Sequence, residues 1–398
     1  MASNPVILLT VFSSKISLTI WSSVSTPQNI DFDLFSKYHH NRNKMTHISL
    51  EQKIGQLFIL GFTGDSVTPE HPIAQDIKNR NLGGVILFDR SISAAKKANN
   101  ILNSRQLIQL TESLQELADV PLLVAVDQEG GQVSRFKSDR GFPVTPPAIE
   151  LGSCPDLQKT IESARQTAIM LQNVGINFNL APVVDLNTYN ENPIIGRYGR
   201  SFSADPVIVA AHSSAWINEH RRQGVLTCLK HFPGHGSSRT DSHLGFVDIT
   251  ETWQEAELLP YQQLIVAGQA DAIMLGHLFH KDFDEQYPAT LSRSIIQKLV
   301  RQQLKFEGIV ITDDMQMKAI TGHHGLEEAC CMALTAGADL LIIGNNLDYD
   351  PLILSKVVDS LLRALDKGTI TEQRLEKAWT RVQLFKNSIW KTNHHEKQ

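Results

Sequence analysis

The chain has 398 residues, of which 42% are hydrophobic, 20% charged and 7% aromatic. That balance supports a large buried core and excludes a fibrous or disordered chain. A formal net charge of -5, with acids and bases interspersed, excludes a broad basic face that would bind nucleic acid through counterion release.

Residues 5–12, PVILLTVF, are apolar, but no Lys or Arg precedes them, and Ser13, Ser14 and Lys15 interrupt the run. The stretch lacks the cationic start of a secretory signal and is too short to span a membrane. We read 1–44 as an extension outside the core, with an atypical export or anchoring segment as the alternative, and start the domain at Met45. Ser49 then caps a helix with Glu51 in its first turn.

Eight short apolar runs follow: QLFILGF (56–62), GGVILF (83–88), PLLVAVD (121–127), NFNLAPVVD (177–185), GVLTCLK (224–230), DAIMLGH (271–277), GIVITDD (308–314) and ADLLIIG (338–344). Continuous runs rich in β-branched residues read as strands buried on both faces, as a parallel sheet requires. Helical patterns lie between most of them, at 94–117, 156–174, 206–222, 252–267, 292–304 and 326–336, and two more at 351–364 and 371–386 complete the series. The alternation predicts an α/β fold, a single (β/α)8 TIM-type barrel over 45–398, rather than two domains.

In such a barrel the reacting groups stand at the carboxyl ends of the strands. Those ends carry Asp127 after the third run, Asp185 after the fourth, Lys230 and His231 after the fifth, His277 after the sixth, and Asp313 with Asp314 after the seventh. Taken singly, Asp185, His277 and Asp314 are read as capping or ladder-satisfying groups. In VDQEGGQVSRF, Glu129 is a second carboxylate candidate beside Asp127, Gly130 and Gly131 let the backbone pass close to a ligand or make a turn, and Arg135 follows. GRSFSADP (199–206) puts Arg200, a planar and permanently charged donor suited to a carboxylate or to sugar hydroxyls, in the loop after the fourth run. Asp205 stands in capping range of the next helix.

KHFPGHGSSRTDSHLG (230–245) gathers His231, His235 and His243 with Lys230 and Asp241. A phosphate-cradling loop would have its lysine after the glycines, not before them. A zinc site would want histidines at helical spacing or on separate strand ends, whereas these lie in a loop broken by Gly and Pro. Asp241 stands two residues before His243, on the same side of an extended segment, and a carboxylate beside an imidazole suits a general acid/base near neutral pH. The dyad ranks first of the three.

KHFPGHG with DSH, VDQEGGQVSRF, GRSFSADP, PATLS and GIVITDDMQM together resemble, in order and spacing over 48–390, the β-N-acetylglucosaminidases of glycoside hydrolase family 3 that act on peptidoglycan fragments. The resemblance implies a retaining, two-step removal of terminal, non-reducing β-linked N-acetylglucosamine. It implies Asp313 as the nucleophile, His243 as the acid/base and Asp241 as its dyad partner. Asp127, Arg135, Arg200, Lys230 and His231 would hold the sugar hydroxyls and the acetamido group. No metal or organic cofactor is implied.

A histidine acid/base departs from the carboxyl pair, about 5 to 5.5 Å apart, of most retaining glycosidases. An imidazole repels an anionic acceptor less than a carboxylate does, so a phosphorolytic variant stays open. IIGRYGRSF offers Arg197 as well as Arg200, with the spacing to Lys230 favouring Arg200, and Gln132 stands where an arginine is common. The rival readings are a metal-dependent barrel hydrolase using His231, His235, His243 and Asp313, and an inert sugar-binding barrel. The expected aglycone is 1,6-anhydro-N-acetylmuramic acid, with or without its peptide, or a chitin oligomer. The expected partners end with that carbohydrate: no nucleic acid, no stable membrane insertion, and a monomer. Cys154, Cys228, Cys330 and Cys331 show neither zinc nor disulfide spacing, and a cytoplasmic, reducing compartment is expected.

Overall fold

The computed structural model describes residues 48–95, 97–242 and 244–395; the extension 1–44 and His243 lie outside the described residues. Each predicted run holds one barrel strand, the fifth extending past its run to Phe232. These are β1 Phe58–Gly61, β2 Gly84–Ile86, β3 Leu123–Val126, β4 Phe178–Asn179, β5 Leu226–Phe232, β6 Ala272–Leu275, β7 Ile309–Asp314 and β8 Leu340–Ile343. They pair in parallel in sequence order and close as a barrel where β8 meets β1, with Phe58 opposite Leu341 and Leu60 opposite Ile343. From β1 to β6, and in β8, every strand residue is apolar or glycine except Asn179, Thr227, Lys230 and His231, and all are buried. β7 is buried until Asp313 and Asp314, which are half-buried at the barrel mouth.

The ring of helices comprises α1 Leu50–Gly55, α2 Pro72–Arg80, α3 Ser104–Glu116, α4 Gln158–Asn173, α5 Pro206–Arg222, α6 Leu259–Val266, α7 Ile295–Gln303, α8 Leu326–Ala336, α9 Ile353–Asp366 and α10 Glu372–His395. α1 begins as expected: Ser49 accepts from Gln52 N, and the Gln52 side chain answers the Ser49 N–H as a capping box. Asp205 caps α5 through Val207 N, with Pro206 at its first position. α3 turns Leu107, Leu110, Thr111 and Leu114 to the core at helical spacing.

Three boundaries depart from the sequence pattern for identifiable reasons. The helix expected from 94 starts only at Ser104, because the Asn99 and Asn100 side chains bind the Phe62 carbonyl and Asn100 also takes the Phe88 N–H, pinning that stretch in a non-helical path. In the 252–267 pattern a 3-10 turn, Glu255–Leu258, comes first and α6 starts at Leu259, with Pro260 in its first turn, whose ring removes the N–H that a helix continuing from the turn would need. β4 is a two-residue ladder with an isolated bridge from Val183 to Lys230, and Pro182 interrupts it. α2 has no counterpart in the sequence reading; the His71 ring caps it by accepting from Ile73 N.

Candidate active site

The carboxyl ends of β3, β5 and β7 and the loops after β3, β4 and β5 share one cleft of about 400 Å³. Asp127, Glu129, Arg135, Arg200, Lys230, His231, Asp241 and Asp313 line it, with Met274 of β6. An adjoining pocket shares Asp127, Arg135 and Asp313 and adds Asp314. Closure of the barrel thus gathers groups that the sequence scatters from 127 to 314.

Lys230 stands at the centre of the charge pattern. Its side chain is 2% exposed, and Nζ donates to Asp127 Oδ1 at 2.9 Å and to Glu129 Oε1 at 2.7 Å. Arg135 Nη2 donates to Asp127 Oδ2 at 3.2 Å. Arg200 grips Glu129 with two bonds, Nε to Oε2 and Nη2 to Oε1, both 2.7 Å. Burial alone would raise both acids, but Lys230 and Arg135 bring Asp127 below the usual carboxylate range, and Arg200 and Lys230 bring Glu129 down to about 2. Burial also disfavours the charged lysine, yet Asp127 and Glu129 outweigh it and raise Lys230. Three cations therefore face these two carboxylates in the cleft that Asp313 lines.

Arg200 and Arg197 part company in space. The Arg197 side chain is 61% exposed and pairs with Glu191 at the surface, whereas that of Arg200 is 9% exposed and lines the cleft. Arg200 Nη2 also lies 3.3 Å from His231 Nε2. A guanidinium only donates, so Nε2 accepts, and the imidazole proton sits on Nδ1, which donates to Asp185 Oδ2 at 2.7 Å. Asp185 Oδ1 accepts the backbone N–H of His231 at 3.0 Å and of His235 at 2.8 Å. It is thus the satisfying group expected of it, and it organises the histidine loop as well.

That loop is braced along its length. His235 Nδ1 lies 2.6 Å from Ser238 Oγ and Nε2 3.3 Å from Ser242 Oγ. Burial, with His231 beside it, takes His235 down to about 4, so the ring is neutral near pH 7. Asn192 Nδ2 reaches the carbonyls of His235, Gly236 and Ser238 at 2.8, 3.1 and 3.0 Å. Ala319 N donates to Ser242 O at 3.3 Å, and beyond the loop Val247–Asp248 pairs in parallel with Leu278–Phe279. Asp241 is half-buried on the cleft wall; its expected partner His243 is outside the described residues.

At the end of β7, Asp313 Oδ1 accepts from Asp314 N at 2.8 Å. Asp314 Oδ1 accepts from Gln316 N at 3.0 Å and Gly344 N at 2.9 Å. His277 Nε2 donates to the Asp314 carbonyl at 2.9 Å, and its Nδ1 lies 2.7 Å from Thr290 Oγ1, the threonine of PATLS. Both residues serve as polar supports of the β7 end, as expected of them.

Of the two readings left open for Gly130 and Gly131, the structure shows the turn: with φ of +107° and +56°, a β-carbon on Gly130 would lie 2.1 Å from Pro146 O and one on Gly131 2.6 Å from Pro147 Cβ, so these glycines admit the 146–147 segment. Glu129, held open as a rival to Asp127, is engaged by Arg200 and Lys230. Asn192 escaped the sequence reading entirely, because an asparagine in a polar loop carries no periodic or motif signal. As for the metal alternative, both ring nitrogens of His231 and of His235 are taken by protein groups.

The glycosyl hydrolase family 3 N-terminal domain matches residues 49–385. This chain belongs to glycosyl hydrolase family 3. The family-3 chain is 36% identical to the β-hexosaminidase of Tolumonas auensis over 277 residues, 68% of this chain and 78% of that one. It is 32% identical to the β-hexosaminidase of Hydrogenovibrio crunogenus over 360 residues, 86% of this chain and 95% of that one. Among solved structures it is similar to a glycoside hydrolase family 3 β-N-acetylglucosaminidase from Paenibacillus, with a TM-score of 0.78 and 32% identity. That match covers 86% of this chain but only 63% of the longer Paenibacillus chain. The β-N-acetylhexosaminidase of Beutenbergia cavernae matches with a TM-score of 0.76 and 30% identity, over 86% of this chain and 99% of that one. The family-3 protein is accordingly a glycoside hydrolase of the β-hexosaminidase type.

Proposed function

We propose that this family-3 glycosidase removes terminal, non-reducing β-linked N-acetylglucosamine, with retention, from peptidoglycan fragments such as N-acetylglucosaminyl-1,6-anhydro-N-acetylmuramic acid with or without peptide. The observation that carries the reading is the single cleft that Asp313 shares with the Lys230 cluster and with Asp241. The motif set read from the sequence supports the substrate.

In the first step the Asp313 carboxylate attacks the anomeric carbon while protonated His243 gives its proton to the glycosidic oxygen. The carbon–oxygen bond breaks, the aglycone leaves as an alcohol, and a glycosyl-aspartate forms. Neutral His243 then takes a proton from water, whose oxygen attacks the same carbon and returns Asp313 to its carboxylate. Asp241 holds the imidazole and stabilises its cationic form. Asp127, acceptor-only and held by two cations, suits sugar hydroxyls, while Arg135, Arg200, Lys230 and His231 complete the grip on the hydroxyls and acetamido group. Lys230, Arg135 and Arg200 line the same cleft as Asp313 and can offset its negative charge. The same cations support a second reading, in which phosphate replaces water in the second step.

The catalytic domain spans 45–398 on this reading and acts as a monomer. Four cysteines left as thiols support a cytoplasmic setting. Among the described residues no helix is long and apolar enough to cross a membrane.

Release of a chromogenic aglycone, with phosphate varied, tests the reading. The β-N-acetylglucosaminide is expected to turn over, the matching β-glucoside to be a poor substrate, and the rate to be independent of phosphate. A sugar phosphate product would establish the second reading instead. Asp313→Ala is expected to abolish turnover with the circular dichroism of the native fold, and activity retained in that variant rejects Asp313 as the nucleophile.

A further inference from the structure

Beneath the histidine loop lies a second carboxyl group that the reaction above does not use. Glu257 is 1% exposed and stands in the 3-10 turn Glu255–Leu258 that precedes α6. The turn at 233–237, which leads from β5 toward Asp241, packs directly on it. A β-carbon on Gly234, whose φ is +131°, would lie 2.5 Å from Glu257 Oε2 and 2.7 Å from Glu257 Cβ, so only glycine permits this approach. From the same stretch Trp253 donates Nε1–H to Pro233 O at 3.0 Å, and Tyr261 meets the Phe232 ring edge-on with centroids 5.1 Å apart. Trp253, Glu257 and Tyr261 together form the floor under the stem of the loop.

This floor is polar where packing alone would call for an apolar one. Among the described residues, both Glu257 oxygens, Ser237 Oγ and Tyr261 Oη are buried, and none makes a hydrogen bond of good geometry. Around the carboxyl group stand Ser237 and the Gly236 amide from the turn, the Gln254 backbone amide, Tyr261 from α6, and Asp185, whose charge is of like sign. Burial, opposed in part by Ser237, pushes Glu257 up to about 7. A neutral carboxyl group keeps a hydrogen-bond donor that an ionised one lacks.

We propose that Glu257 is a positioning residue: its buried carboxyl group supports the 233–237 turn from below and so sets where the segment that carries Asp241 stands against the cleft. The proposal rests on the reading of His243 as the acid/base. It acts on proton delivery alone, since the sugar-holding groups Lys230 and His231 belong to β5 itself.

The test compares kcat/KM, which reports the first chemical step, for a phenyl and a 2,4-dinitrophenyl β-N-acetylglucosaminide. The phenyl leaving group needs its proton; the dinitrophenyl group does not. Glu257→Ala is expected to lower the phenyl value on the order of a hundredfold, the scale of a misplaced catalytic group, and to change the dinitrophenyl value by less than about threefold, with uniform binding kept. Glu257→Gln, neutral and of the same shape, is expected to restore the phenyl value. Gly234→Ala, which forces the turn off Glu257, should reproduce the split between aglycones and carries the test if Glu257→Ala does not fold. Equal losses on both aglycones, or a Gln variant as impaired as the Ala variant, would overturn the proposal. His243→Ala run beside them separates the failures. If it too loses both aglycones alike, the acid/base reading falls and the Glu257 proposal with it; if it shows the split and Glu257→Ala does not, only the role of Glu257 falls.

Discussion

At the scale of the residue, the difference between Arg197 and Arg200 shows what one guanidinium contributes. Both stand in the same loop, but only Arg200 makes a two-pronged contact with a buried acid and reaches His231. Lysine keeps the charge at such a site and loses the fork. A charge-assisted bond contributes roughly 1.5 to 3 kcal/mol, so Arg200→Lys is expected to lower kcat/KM on the order of ten- to a hundredfold. Arg197→Lys, at an exposed pair, is expected to match the wild type. Equal kinetics for the two variants would remove Arg200 from the cleft's working parts. At this scale the sequence was informative where chemistry is rare and motif-bound, as at Asp127, Lys230 and Asp313. It was silent on Asn192 and Glu257, whose contacts exist only because another segment packs on them.

At the scale of the element, the barrel is held at both ends by polar groups with different tasks. On the face opposite the cleft, Asp339 precedes β8, is fully buried, and accepts from Arg301 at 2.6 Å, Arg374 at 3.2 Å and Arg381 at 3.3 Å, and from the β7 amide of Val310 at 3.2 Å. One carboxylate thereby ties α7 and α10 to the β7–β8 ladder. Removing it leaves three cations facing one another in a largely desolvated space. Asp339→Ala is expected to cost about 3 to 5 kcal/mol in urea unfolding. A loss below about 1 kcal/mol, the scale of a surface pair, would show the cluster to be solvated. Strand existence was legible because buried parallel strands are continuous apolar runs. Helix starts at Ser104 and Leu259 were less so, because side-chain bonds from Asn99 and Asn100 and the ring of Pro260 override periodicity.

At the scale of the whole molecule, the first and last helices lock the barrel shut. Gln56, just after α1, is fully buried; its Oε1 accepts from Lys386 Nζ of α10 at 2.8 Å and its Nε2 donates to Asn81 O at 2.7 Å. Lys53 Nζ reaches Glu376 Oε2 of α10 at 2.6 Å. The family match begins at 49, with the capping box of α1. A chain starting at Met45 is therefore expected to keep the melting temperature and the kcat/KM of the full chain. A clear fall in either would assign 1–44 to the catalytic domain. What the sequence by itself determined is the strand-and-helix rhythm, hence the barrel, and the residues its motifs single out at the strand ends. Both follow from local pattern: burial on two faces writes itself as apolar runs, and strand ends are where polar residues resume. Only the tertiary structure decided which acid each cation pairs with, that Arg200 and not Arg197 enters the cleft, and that the paired glycines receive a neighbouring segment. These depend on barrel closure, which brings groups more than a hundred residues apart, such as Asp127 and Lys230, to within 2.9 Å.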